Sequence, residues 1–177
     1  FDTISKRELT ENISLQADRM HNLINRLLDY KAIEEGNIKV QNSKFRPEEL
    51  CRDIAGNMAH MAEKKGLKFN YENDLNGSTI ESDYSILYQI IENLVSNAIK
   101  FSPLNKNIYI KTTEHNGLPA IIIQDEGPGF TKGDMKKVFS NFAKLSAQPT
   151  ANEHSTGLGL SIVKKLCDFI NAEVLLE

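Results

Sequence analysis

Asn93-Leu-Val-Ser-Asn97-Ala-Ile-Lys100-Phe101-Ser102 is the stretch that decides how this chain of 177 residues is read. Positions 93, 97 and 100 are spaced i, i+4, i+7, so on a helix two amides and an ammonium share one stripe. Ile90, Ile91, Leu94, Val95, Ala98 and Phe101 form an apolar arc beside it. Such a helix packs on a sheet through the arc while its polar edge lines a cleft. Asn is a poor helix former, so two of them at a cleft edge point to amide oxygens that bind something.

Composition sets the bounds. With 40% hydrophobic residues the chain can bury one sizeable core and carry a small appendage. A formal charge of -3 and a pI near 5.9 give no reason to expect nucleic acid or an anionic membrane as partner, whereas nucleotide-sized ligands stay open. No apolar run approaches the ~20 residues needed to span a bilayer, and Phe1-Asp-Thr-Ile-Ser-Lys6 lacks the regions of a signal peptide. The segment is therefore expected to be soluble, without direct membrane contact. Cys51 and Cys167 lie far apart in helix-like stretches without metal-ligand spacing, which fits a reduced, cytoplasmic setting.

Residues 3 to 34 form a long helix candidate in which Ile13, Ala17, Met20, Ile24 and Leu27 make a coiled-coil seam. Leu23, Leu28 and Ile33 widen the stripe, which argues for packing in a bundle of about four helices. Gly36 ends it. An extended stretch from Ile38 to Phe45 follows, and Pro47 starts a helix with Leu50, Ile54, Met58 and Met61 as its expected buried face, stopped by Gly66. Leu67 to Tyr71 alternates like a half-buried strand, and a short strand at Ser78 to Glu81 leads into the central helix, with Ser82 or Asp83 as N-cap. Ile108 to Thr113 and Pro119 to Gln124 read as strands joined by a tight Asn116-Gly117 turn. From Thr131 to Thr156 the chain is polar apart from Val138, Phe139 and Phe142, as expected of a mobile lid with an aromatic anchor. A helix from Leu158 to about Phe169 and a strand from Ala172 to Glu177 complete an α+β reading, helices on one face of a mainly antiparallel sheet.

Two glycine clusters flank the lid: Asp125-Glu-Gly127-Pro-Gly129-Phe130 before it and Ser155-Thr-Gly157-Leu158-Gly159-Leu160 after it. Either alone is weak evidence. The first, however, follows an apolar strand and opens with a carboxylate, while the second opens a helix, where free N–H groups and the macrodipole favour phosphate. Together they outline opposite ends of a nucleotide. Neither extends to Gly-x-Gly-x-x-Gly or to Gly-Lys-Ser/Thr, so dinucleotide-binding and P-loop readings lose support.

The order of asparagine helix, Asp-x-Gly-x-Gly, paired phenylalanines and Gly-Leu-Gly-Leu resembles the N, G1, F and G2 boxes of sensor histidine kinases, within the wider GHKL ATP-binding superfamily. The resemblance implies a two-layer α/β sandwich catalytic domain over residues 37–177. Ala17 to Tyr30 looks like the second helix of the dimerisation and phosphoacceptor bundle, placing residues 1–36 there. By that resemblance Asn97 coordinates Mg2+, Asn93 positions the phosphates, Lys100 places positive charge near them, and Phe101 lines the nucleoside pocket. Asp125 accepts from the adenine amino group, where guanine presents a carbonyl. Gly127 and Gly129 allow close approach at the adenine end, and Gly157, Leu158, Gly159 and Leu160 lie at the phosphates. Lys144 reaches the terminal phosphate, with Phe139 and Phe142 anchoring the lid against the core when nucleotide is bound. ATP and Mg2+ are the implied cofactors. A response regulator receiver domain and a second copy, joined through the bundle, are the implied partners.

Taken singly, most of these residues read as ordinary surface or core, and their joint order is what favours a site. None of His21, His60, His115 and His154 stands in a phosphoacceptor setting, His21 reading as structural or exposed and His154 as a weak candidate for nucleotide contact. The resemblance places the acceptor histidine on a preceding helix absent from residues 1–36, and a final strand beyond Glu177. This chain is then expected to bind ATP without phosphorylating itself. Two alternatives stay open. One is another GHKL ATPase or serine kinase, although Asn93 stands where the ATPases usually carry a water-activating glutamate. The other is a degenerate nucleotide-binding or interaction module.

Overall fold

The computed structural model describes residues 6–36, 38–150 and 155–176. They divide into two compact units, one reaching to Ile38 and the other starting at Lys39. The first is a single helix, α1 (Lys6–Glu34). Its seam residues Ile13, Met20, Ile24 and Leu27 are more than half exposed, as are Leu9 and Leu28, whereas Ile33 is buried. The side chain of Leu23 lies outside the described residues.

The second unit runs β1 (Asn42–Phe45), α2 (Pro47–Glu63), β2 (Lys68–Asn73), β3 (Ile80–Asp83), α3 (Tyr84–Phe101), β4 (Asn107–His115), β5 (Leu118–Asp125), α4 (Lys132–Met135) and α5 (Gly159–Phe169). Strands β2, β4 and β5 form one sheet in the order β2-β4-β5, and β1 with β3 forms an antiparallel ribbon. The β2–β4 ladder is parallel because the connection between them carries α3, and β4–β5 is antiparallel across a short turn. In that turn Asn116 and Gly117 have φ of 52° and 79°, the left-handed pair a two-residue hairpin requires.

α3 starts where Asp83 caps it, its carboxylate accepting from the Ile86 amide at 3.0 Å. Its other oxygen accepts from Gln41 N at 2.6 Å. That bond takes Gln41 out of any ladder, and the expected strand from Ile38 shortens to Asn42–Phe45. Ile86, Leu87, Ile90, Ile91, Val95, Ala98 and Ile99 of α3 are buried, each Ile, Leu or Val side chain worth about 1.5–3 kcal/mol against exposure. α3 packs on α2, which buries Leu50, Cys51, Ile54 and Ala55, on α5, which buries Ile162, Val163 and Leu166, and on β5, while Ile108 and Ile110 of β4, beneath α2, are buried in the same core.

Three expectations are corrected. Met61 is exposed and Met58 half-buried, because the face of α2 turned inward carries Cys51, Ala55 and Ala62 instead. The alternation expected from Leu67 to Tyr71 holds only for its first part: Leu67, just before β2, is buried and Phe69 half-buried, whereas Tyr71 is exposed. Ala172 to Leu176 forms no strand: Ala172 N donates to Cys167 O, and no ladder partner lies beside the segment among the described residues. No helix among the described residues is long and apolar enough to cross a membrane.

Candidate functional site

Asp125 ends β5 opposite the fully buried Ile108. Directly opposed residues share a face of the sheet, so its carboxylate stands at the strand end on the side of the helix layer. Oδ1 accepts from Gly127 N at 2.7 Å, an Asx turn. Although the residue keeps considerable surface, removal of solvent from its carboxyl raises the pKa, and the Gly127 N–H opposes that only in part. A Cβ at Gly127 would lie 2.5 Å from Asp125 Oδ1 and 3.0 Å from the Phe101 carbonyl oxygen. Glycine is required there, and the absent side chain lets the turn abut the C-terminal end of α3.

The same helix meets the second glycine cluster. A Cβ at Gly159, the first residue of α5, would lie 3.4 Å from Asn97 Nδ2 and 3.6 Å from both Asn93 Oδ1 and Asn97 Oδ1. Asn93 Nδ2 donates to Gln89 O at 2.8 Å, which commits its donor to the helix and leaves Oδ1 available. α3 thus carries Asn93 and Asn97 against Gly159 and Phe101 against Gly127, joining the two clusters that the sequence separates. Lys100 is half-buried on the same helix, as is Phe101. Leu158 is buried at 2% exposure while Leu160 is half-buried.

The lid is pinned at several points. Gly157 has φ of 70°, and a Cβ on it would stand 2.8 Å from Ala143 O, so the lid backbone lies directly on this glycine. Thr131 and Asp134 form a capping box around α4. The Asp134 carboxylate also accepts from Ser146 N at 2.9 Å and from the Ser146 hydroxyl. Those hydroxyl and amide donors hold its carboxyl far below the usual range. In this part of the lid Val138 is buried, Phe139 half-buried, and Phe142, at φ of 55°, is 58% exposed. Lys144 is exposed, and its carbonyl accepts from Lys137 Nζ at 2.7 Å.

Other candidates do not converge. His21, His60 and His115 are exposed, and His154 lies outside the described residues. Burial pushes the Cys51 thiol up to about 12 and the Cys167 thiol up to about 11, so neither is a ready nucleophile. Among the described residues no group of three or more His, Cys, Asp or Glu could hold a metal ion. A void of about 10 Å³ under α2, lined in part by Glu48, Cys51 and Thr112, has room for one water at most and lies away from both glycine clusters. The sequence reading missed Lys65, Asp134 and Thr150. Thr131-x-x-Asp134 is a legible capping signature, whereas nothing local marks Lys65 or Thr150.

The family model described as histidine kinase-, DNA gyrase B- and HSP90-like ATPase matches residues 82–177. The autoinducer 2 sensor kinase/phosphatase LuxQ of Vibrio parahaemolyticus serotype O3:K6 (strain RIMD 2210633) is 32% identical over 158 residues, covering 86% of this chain and 18% of LuxQ. The chain spans about a fifth of the length of the curated relatives it matches. Among solved structures, full-length ShkA in complex with AMPPNP superposes with a TM-score of 0.79 at 24% identity, covering 94% of this chain and 34% of that one. Histidine kinase ThkA in complex with response regulator protein TrrA gives 0.71 at 22% identity, covering 97% and 46%. These likenesses bear out the expected two-layer α+β fold and a nucleotide-binding domain.

Proposed function

This chain belongs to the histidine kinase-, DNA gyrase B- and HSP90-like ATPase family as a sensor-kinase catalytic domain, and from that premise we propose that it binds Mg-ATP and presents the terminal phosphoryl group to a histidine. The observation that carries the proposal is the bridging by α3: one rigid helix holds two amides at Gly159 and abuts the Asp125 turn at Gly127.

Asp125 reads the adenine amino group as a charged acceptor, an interaction worth about 1.5–3 kcal/mol. The Gly127 and Gly129 turn admits the base. At the other end, the N-terminal turn of α5 and the backbone at Gly157 and Gly159 offer N–H groups to the phosphates, Lys100 and Lys144 supply positive charge, and Leu158 and Leu160 fix the turn. Asn97 fits a magnesium ion: its half-buried amide provides a neutral oxygen, Asn93 Oδ1 stands near it, and the glycine opposite leaves room. When bound, the ion would neutralise charge on the transferring phosphoryl group. Phosphoryl transfer asks the protein chiefly to position and to neutralise, and these residues do that.

For the longer protein the proposal includes cytoplasmic placement of this domain, dimerisation through the α1 bundle, and relay to a receiver-domain aspartate, as ThkA's complex with a response regulator illustrates for that protein. Nucleic acid is not a partner in this account. Asn93 disfavours a hydrolytic ATPase. Calorimetric titration of the chain with ATP is expected to give heat that strengthens with magnesium, and Asn97→Ala should remove the magnesium dependence. No heat for the unaltered chain would favour an interaction-only module. Radiolabel from ATP retained on any histidine of this chain would contradict the placement of the acceptor elsewhere.

A further inference from the structure

Lys65, in the turn between α2 and β2, keeps only 4% of its surface, a costly place for an ammonium. Its Nζ donates to the carbonyl oxygens of Ile99 and, at 3.2 Å, of Lys100. Both lie in the last turn of α3, where carbonyls have no helical donors and the macrodipole leaves partial negative charge. Thr150, from the far end of the lid, meets the same turn. Its amide donates to Lys100 O at 2.9 Å, and its hydroxyl lies 3.0 Å from that oxygen and 2.8 Å from Ser102 O.

A single carbonyl oxygen therefore serves a buried cation and the lid together. Next to it, the fully buried Ser102 hydroxyl has no hydrogen-bond partner among the described residues, so the junction is one bond short of satisfaction. Phe101, between Lys100 and Ser102, is the residue whose carbonyl abuts Gly127. A shift of this turn would move Phe101 against the Asp125 turn and carry Lys100 with it.

The geometry points to Lys65 as a positioning residue for nucleotide: it fixes the last turn of α3, and through the shared Lys100 oxygen it couples the pocket wall to the docking of the lid at Thr150. This inference rests on the nucleotide reading above and adds to it a residue outside the sequence boxes.

The test uses the full chain with Lys65→Met, Thr150→Val and the pair. ATP affinity is expected to fall roughly tenfold in Lys65→Met. The pair should lose more than the product of the two single effects, by a factor of roughly two or more. Hydrogen exchange at the Thr150 amide should quicken in Lys65→Met even without nucleotide. A lowered melting temperature with unchanged ATP affinity and strictly multiplicative effects would overturn the proposal, since a purely structural lysine behaves so. If Lys65→Met does not fold, Thr150→Val reads the junction from the lid side, and unchanged ATP affinity there overturns it equally. If the unaltered chain binds no ATP, the nucleotide reading fails by itself. Thr150 exchange no faster in Lys65→Met would then overturn the lid coupling separately.

Discussion

α1 and α3 are both long helices with an apolar stripe, yet they end in opposite conditions. Along α3 the stripe is buried and its polar edge is committed, Asn93 to Gln89 O and both amides to the neighbourhood of Gly159. Along α1, Leu9, Ile13, Met20, Ile24, Leu27 and Leu28 stand exposed. The difference teaches that hydrophobic periodicity announces a partner without saying where the partner lies. For α3 it is inside the same unit; for α1, in our proposal, it is a helical bundle shared with a second copy.

The comparison can be broken most forcefully by truncation. Ile99→Ala, at a fully buried site in α3, is expected to cost about 2–5 kcal/mol in chemical denaturation of the unit that begins at Lys39. Ile13→Ala, in α1, should leave that unit within about 0.5 kcal/mol. Similar losses for both would mean that α1 is finished as it stands. Sedimentation sharpens the same contrast: Ile13→Glu should shift the chain toward monomer, and α3 substitutions that preserve folding should not.

A smaller effect is expected at the lid. Gly157→Ala forces a side chain into a left-handed backbone and against Ala143 O, costing about 1–2 kcal/mol from conformation alone. Limited proteolysis between residues 142 and 157 should quicken, whereas Gly36→Ala, also at positive φ but with no atom near its Cβ, should leave lid cleavage unchanged.

The smallest effect concerns stability at the binding end. Because burial raises the folded pKa of Asp125 above its unfolded value, its contribution favours the fold below the unfolded pKa and is lost as pH rises through the folded one. Asp125→Asn should therefore make the empty domain slightly more stable at neutral pH, with the advantage vanishing in acid. ATP affinity of the unaltered chain should weaken as pH falls through the raised pKa, and the variant should be flat. Thermal melts and titrations across that range check both signs.

Much of this was legible in the sequence, and what was not has physical causes. The i, i+4, i+7 stripe, the Asp83 cap, the Asn116-Gly117 turn and both glycine clusters are local signals, and the structure shows each element where it was expected. Strand ends were misjudged where tertiary bonds compete, as at Gln41, and where a ladder partner is needed, as at Ala172. The methionines of α2 misled because their spacing matched the buried stripe while small residues occupied it. Lys65 and Thr150 were invisible because their significance lies in one carbonyl, Lys100 O, far from either in sequence.

The central claim is that Asp125 reads a purine whose phosphates lie between Asn97 of α3 and Gly159 at the start of α5. It is tested most directly by titrating the unaltered chain and Asp125→Asn with ATP and with GTP in the presence of magnesium. The account predicts preference for ATP in the unaltered chain and a loss of roughly ten- to a hundredfold in ATP affinity in the variant, with GTP binding no weaker than before. Equal affinities for ATP in the two proteins would contradict it.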